Sequence, residues 1–154
     1  MSEMVPEGWG IRQAEEIYER IKVPRVYDRN DVTSNGSFPI LDQSEDGEIG
    51  FIDSKPEFDC SIRNPIITFA NHTCAVRKLS SPFGVIQNVF PLKNRKDTDI
   101  NYIFQILKGG VEPEGYKGHY PKLRETEFLV PPLPEQKKIA SILTSVDEVI
   151  EKTQ

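Results

Sequence analysis

The chain has 154 residues, 37% of them hydrophobic and 28% charged, with a formal net charge of -5. That size suits one domain with a real core plus an extension, and the balance of apolar and charged residues is that of a soluble globular chain. No run of about 18 apolar residues predicts a membrane span, and the opening MSEMVPEGWG lacks the basic and apolar regions of an export signal. A cytoplasmic protein is the expectation, with Cys60 and Cys74 as free thiols and no zinc site, because no CxxC or Cys/His cluster exists.

Charge is unevenly spread along the chain. Residues 1–75 carry 7 basic and 14 acidic side chains, residues 76–124 carry 9 and 4, and residues 125–154 carry 3 and 6. A basic middle third inside an acidic chain can serve phosphates if it faces one side; otherwise it is scattered solvated charge.

In chain order, Pro6-Glu7-Gly8-Trp9 opens the ordered part, with Trp9 expected to anchor on the core. Ala14, Ile17, Tyr18 and Ile21 share one helical face, so a short helix is predicted from Ala14 to Ile21, ended by Pro24. Asn30 to Gly36 is turn-rich. Phe38–Leu41 and Ile49–Ile52 read as two short strands around a polar loop, a candidate hairpin. The carboxylates Asp42, Glu45, Asp46, Glu48 and Asp53 lack the spacing of a calcium loop, which favours a solvated loop.

Asn64–Ala70 reads as a buried strand and Thr73–Leu79 as its neighbour, with Asn71-His72 as the loop between them. A nuclease reading of that loop lacks ligands, since His119 is the only other histidine. Phe83–Ile86 and Val89–Leu92 are two further short strands. Thr98 or Asp99 caps a helix from Ile100 to Leu107 with Tyr102, Ile103, Ile106 and Leu107 inward, and Gly109-Gly110 ends it. The loop Val111 to Leu123 is polar, aromatic and basic, a composition that can touch phosphates and base edges; the bland alternative is a surface loop with Leu123 and Phe128 packed inward.

Pro131, Pro132 and Pro134 hold an extended segment, and Pro134 suits the first turn of a helix. After it Ile139, Ile142, Leu143, Val146, Val149 and Ile150 form one apolar stripe. With Ile139 at heptad position a, Ile142 falls at d, Val146 at a and Val149 at d, a coiled-coil seam on a helix of about 30 Å.

The wording PPLPEQKKIASILTSVDEVIE closely resembles the stretch that joins a target recognition domain to its spacer helix in the DNA specificity (S) subunits of type I restriction–modification enzymes. The matching residues are Pro132, Leu133, Pro134, Glu135, Gln136, Lys137, Ile139, Ala140, Leu143 and Asp147. Pro6-Glu7-Gly8-Trp9 resembles the opening of such domains. FPILDQSEDGEIGFID resembles their strand–loop–strand element at Phe38, Pro39, Ile40, Gly47, Ile49, Gly50 and Phe51, with an acidic loop in place of Gly-Ser-Asn-Gly. Gly118-His119-Tyr120-Pro121-Lys122-Leu123 sits where the family carries its last loop signature.

The resemblance implies an α+β fold: a target-recognition-domain-like curved sheet with short helices over residues 1–130, then a proline linker and the start of a coiled-coil-type dimerisation or spacer helix over residues 131–154. It implies a non-catalytic specificity component without cofactor or metal. Its expected partners are double-stranded DNA, a modification methyltransferase subunit, a restriction endonuclease subunit through the complex, and a second copy of the chain through the C-terminal helix. Candidate DNA-binding residues are Lys93, Arg95, Lys96, Lys117, His119, Tyr120, Lys122 and Arg124, and candidate helix contacts are Ile139, Ile142, Val146 and Val149. Family chains carry two recognition domains, so this one reads as a half-subunit or a fragment. The competing reading is a module that docks the methyltransferase without reading DNA, favoured by the acidic first half. An independent hydrolase has only isolated polar residues behind it, with no dinucleotide-type loop and no paired nuclease carboxylates.

Overall fold

The computed structural model describes residues 5–115 and 117–153. The elements, in order, are β1 (Gly10–Gln13), α1 (Ala14–Ile17), β2 (Tyr18–Arg20), β3 (Phe38–Leu41), β4 (Glu48–Ile52), β5 (Ile66–Ala70), β6 (Val76–Leu79), β7 (Gly84–Val85), β8 (Val89–Asn94), α2 (Ile100–Leu107), α3 (Tyr120–Glu125), β9 (Glu127–Val130) and α4 (Leu133–Thr153). The fold is mixed α+β. Its strands divide among a two-stranded sheet β1-β9, a four-stranded sheet β2-β8-β5-β6 and a three-stranded sheet β4-β3-β7.

The four-stranded sheet is the middle layer. All five residues of β5 are buried, which requires cover on both faces. Successive strand side chains alternate between faces. Ile67 and Phe69 of β5 and Leu92 of β8 meet Ala14, Ile17, Ile103, Leu107 and Leu123 on one side. Ile66 and Val89 meet Leu41, Phe58, Phe83 and Val85 on the other. Two cores therefore share one sheet, one roofed by helices and the other by β3 and β7.

Most of the sequence-read elements appear within a residue or two. β3 and β4 form the expected antiparallel hairpin, Phe38 opposite Ile52. β5 and β6 pair around the Asn71-His72 turn, Phe69 opposite Val76. Helix α2 starts at the Asp99 cap, whose carboxylate accepts the Tyr102 amide at 3.0 Å. Thr98 is not the cap; its hydroxyl donates to the Ile17 carbonyl at 2.8 Å.

Two expectations are corrected. The helix predicted over Ala14–Ile21 ends at Ile17, and Tyr18–Arg20 becomes a strand paired with Asn94–Leu92. Its apolar spacing suits a helix, but β8 offers backbone partners and Tyr18 still reaches the core from the strand. Trp9 is half-buried rather than a core anchor, and its indole N–H donates to Glu135 Oε2 at 2.9 Å. α3 was not anticipated. Pro121 near its start fits a first helical turn.

The first strand is closed on the strand that precedes α4. β1 pairs β9 antiparallel, Gly10 opposite Val130. Gly8 adopts φ +85°, a left-handed conformation that favours glycine, with Pro132 beside it. Gln136, buried in the first turns of α4, accepts the Asp99 amide at 2.8 Å and donates to the Asp97 and Pro131 carbonyls at 3.0 and 2.9 Å. Among the described residues no helix is long and apolar enough to cross a membrane.

Replacing Gln136 with Leu strips the Asp99 amide and two carbonyls of partners in a site closed to water. Unsatisfied buried groups cost roughly 1–3 kcal/mol each. We expect Q136L to lose at least about 2 kcal/mol in denaturant unfolding, against at most a few tenths for the exposed change Lys138→Ala.

Candidate nucleic-acid interface

The candidate loop Val111–Leu123 is held chiefly by one residue of the β5–β6 turn, Asn71, through its side chain and its backbone carbonyl. Asn71 Oδ1 accepts the Tyr120 amide at 2.7 Å, its carbonyl accepts the His119 amide at 2.7 Å, and its Nδ2 donates to Asn88 Oδ1 at 3.1 Å. His119 is buried within this latch. Its Nε2 accepts the Glu114 amide at 2.8 Å, which places the ring proton on Nδ1, 3.1 Å from the Asn71 carbonyl. Both ring nitrogens are thereby committed to the fold.

Tyr120 is buried as well. Its hydroxyl donates to Glu15 Oε2 at 2.7 Å and accepts from the Tyr18 hydroxyl at 3.1 Å. Burial, with hydrogen bonding to the Glu15 carboxylate behind it, pushes the Tyr120 phenol up to about 12, and burial raises Tyr18 also. Both stay protonated donors throughout the neutral range. The ring of Tyr120 packs edge-on to Phe90 at 5.1 Å.

Most cations of the basic middle third have partners in their own chain. Lys117 and Lys122 both bind Glu114, at 2.8 and 3.0 Å, and their hydrogen bonds hold its carboxyl down at about 2. Lys93 and Arg95 share Glu19 at 3.6 and 3.4 Å, and Arg95 also donates to the Glu15 carbonyl. Arg77 donates to the Gly47 carbonyl at 2.8 Å and so ties down the acidic β3–β4 loop. Lys78 reaches Asn101, and Lys108 reaches Asp147. Lys96 and Arg124 are exposed and have no side-chain partner among the described residues. The eight candidate DNA contacts therefore form no single row. His119 and Tyr120 lie inside, Lys117 and Lys122 flank a carboxylate on the loop, and Lys93, Arg95 and Lys96 follow β8.

One cation was missed by sequence reading. Arg20, exposed on the edge strand β2, lies over Phe90 with its guanidinium carbon 4.2 Å from the ring centroid and over Tyr120 at 4.8 Å. No carboxylate pairs with it among the described residues. Its signal was hidden because Tyr18–Ile21 read as helix inside an acidic half.

Helix α4 turns a polar and small face to the domain. Gln136 and Ala140 are buried, and Asp147 accepts from Gln105 at 3.0 Å and from Lys108 at 3.1 Å. The apolar stripe points away: Ile142 is 56% exposed and Val146 48%, with Leu143 and Val149 also open and Ile139 half-covered.

A family model described as the type I restriction modification DNA specificity domain matches residues 6–154. The chain belongs to this family. No curated protein matches the chain. Solved structures share the fold. One, described as the structural basis underlying complex assembly and conformational transition of the type I R-M system, aligns at TM-score 0.72 and 10% identity over 97% of this chain and 40% of that one. The type I restriction–modification S subunit from M. genitalium aligns at 0.70 and 18% identity, over 97% and 41%. The HsdS subunit from Thermoanaerobacter tengcongensis aligns at 0.67 and 10% identity, over 96% and 39%. The chain thus spans about two fifths of the length of the solved chains it matches.

Membership in the specificity-domain family gives the two resemblance motifs a physical meaning, because they touch. The Pro-Glu-Gly-Trp opening meets the Pro-Leu-Pro-Glu-Gln stretch through Trp9–Glu135 and the Gly8–Pro132 approach, while Gln136 fixes the start of α4 against α2.

The Glu114 clamp is titratable. A carboxyl whose folded value lies below its ordinary 4.5 contributes stability present above about 4.5 and lost as pH falls toward 2. Amide exchange at residues 117–123, taken relative to the intrinsic rate at each pH, is expected to accelerate across that window in the wild-type chain. In Glu114→Gln it should already be faster at neutral pH and lack the acid step.

Proposed function

We propose that this chain is the sequence-reading component of a type I restriction–modification complex, working in the cytoplasm: a target recognition domain that binds double-stranded DNA and carries no chemistry of its own. Methylation and cleavage then belong to the modification methyltransferase subunit and to the restriction endonuclease subunit that joins through the complex. Helix α4 is the arm that places the domain in that assembly, and its outward seam of Ile142, Val146 and Val149, with Ile139 at its inner end, meets a second helix of the same kind. A second copy of this chain fits that role, with two-fold symmetry and inverted half-sites in the DNA.

The observation that carries this reading is the inside-out helix. A helix that packs only on its own domain puts its apolar stripe inward. α4 instead buries Gln136 and Ala140 and leaves the stripe out, an arrangement that makes sense when another helix covers it. The docking reading draws on a different observation, that Lys93, Arg95, Lys117 and Lys122 each pair with a carboxylate of their own chain.

Light scattering tests the assembly. The wild-type chain is expected at twice its monomer mass, and the double change Ile142→Asp, Val146→Asp at one monomer mass with its circular dichroism retained. A wild-type monomer would sink the homodimer and leave the seam to a different helix. Selection from a pool of randomised duplexes tests the reading of DNA. Two inverted half-sites are expected from the wild-type chain and one half-site from the double variant. Recovery of no motif would end the DNA-reading proposal in favour of docking.

A further inference from the structure

Resting on that DNA-reading proposal, the geometry points to Arg20 as the base-reading residue of the domain: we propose that it contacts the O6/N7 edge of a guanine from the edge of β2, while Lys22 holds a neighbouring phosphate.

Three observations converge on this residue. The first is its mounting. A guanidinium held over aromatic rings keeps its N–H donors available to a ligand, and Phe90 and Tyr120, whose rings stand at 74° to each other, support Arg20 at 4.2 and 4.8 Å. The support is itself rigid. Tyr120 is fixed by Glu15 and Tyr18 through its hydroxyl and by Asn71 through its amide. Arginine loses much rotamer freedom when it forms an ordered contact, and here stacking has already restricted it.

The second is charge. Arg20 and Lys22 stand between two hollows: one shared with Glu15 and Glu19, and one of about 490 Å³ lined also by Gln87, Asn88 and Phe90, with no carboxylate in its wall. Four other surface hollows each include at least two carboxylate side chains, among them Asp99 and Glu148, Glu15 and Glu19, Asp147 and Glu151, and Asp31 and Asp53. In a chain of net charge -5, a largely apolar hollow whose polar wall is two cations and two amides suits a polyanion along that polar side, because the phosphate backbone supplies most of the non-specific affinity.

The third is the set of functional groups. Arginine forks onto guanine, and carboxamides onto adenine. Gln87 is exposed, and Asn88, at φ +69°, uses its carbonyl oxygens on Asn71 and leaves its amide N–H₂ without an acceptor among the described residues. Base-reading groups and a phosphate-binding cation thus lie side by side, as a groove contact requires.

The test uses the full chain and a pool of duplexes with a randomised core. The wild-type chain should enrich a motif containing an invariant guanine. Arg20→Ala should lose preference at that position by about tenfold and keep the rest of the motif. Arg20→Lys retains the charge but not the fork, and should fail to restore the guanine. Lys22→Ala should weaken binding to all duplexes alike and lower the salt slope by about one. If the wild-type chain enriches a motif that Arg20→Ala leaves intact, the assignment of Arg20 falls while the DNA-reading function stands. If Arg20→Ala weakens binding to all duplexes alike and keeps the guanine preference, the contact is to phosphate and base reading by Arg20 is overturned. If the wild-type chain enriches nothing, the function itself fails and this inference fails with it. Matching circular dichroism spectra for the two Arg20 variants remove misfolding as an explanation.

Discussion

The carboxamide of Gln136 governs how helix α4 leaves the domain. It is buried, and it bridges three backbone groups that belong to different segments: the Asp99 amide at the start of α2, the Asp97 carbonyl before it and the Pro131 carbonyl before α4. A side chain that both donates and accepts can satisfy that mixed set, and an aliphatic one leaves all three groups unpaired. Around this lock the N-terminus wraps, with β1 on β9 and Trp9 on Glu135. The direction of α4 is therefore set in its first two turns. Farther along, Gln105 and Lys108 tie it to the domain through Asp147. That is why the helix can keep its large apolar side chains for another surface.

The same economy explains the layering. β5 is buried from end to end because it lies between two cores, and its neighbours divide their side chains between them. The second core is closed by β3 and β7, whose parallel pairing at Ile40–Gly84 and Leu41–Val85 joins segments far apart in sequence. Arg77 and Thr73 then strap the β3–β4 loop onto the β5–β6 turn. These loops are thus mutually fastened, with exposed Glu45 and Asp46 in the stretch whose Gly47 carbonyl Arg77 holds.

Elements with a local cause were legible in the sequence. The β3–β4 hairpin has a polar loop between apolar runs, β5 is an uninterrupted apolar run, and α2 has an Asp cap and a Gly stop. What was not legible depends on partners distant in the chain. Tyr18–Arg20 is a strand because of Leu92–Asn94, and no spacing within residues 14–21 reveals that. α3 forms where the Tyr120 amide finds Asn71, some fifty positions away, and the same latch takes His119 and Tyr120 into the interior. The C-terminal motif was the most specific stretch, yet its wording alone did not disclose that the glutamine is a lock and the glutamate a partner for the single tryptophan, Trp9.

Charge shows the difference between a segment and a surface most sharply. Counting by segment assigns the cations to residues 76–124, but Arg95 reaches back to Glu15 and Glu19, Lys108 reaches forward to Asp147, and Lys117 and Lys122 close on Glu114. Each pair is partly exposed and contributes little stability, yet each also reduces the local field that a polyanion would meet. Arg20 escapes direct pairing, although it comes from the most acidic part of the chain and shares a hollow with Glu15 and Glu19, because its guanidinium lies over aromatic rings. A ring face attracts a cation without neutralising it. Stacking is therefore a way to hold an arginine still while leaving its full charge and its hydrogen-bond donors for a ligand, which an ion pair cannot do.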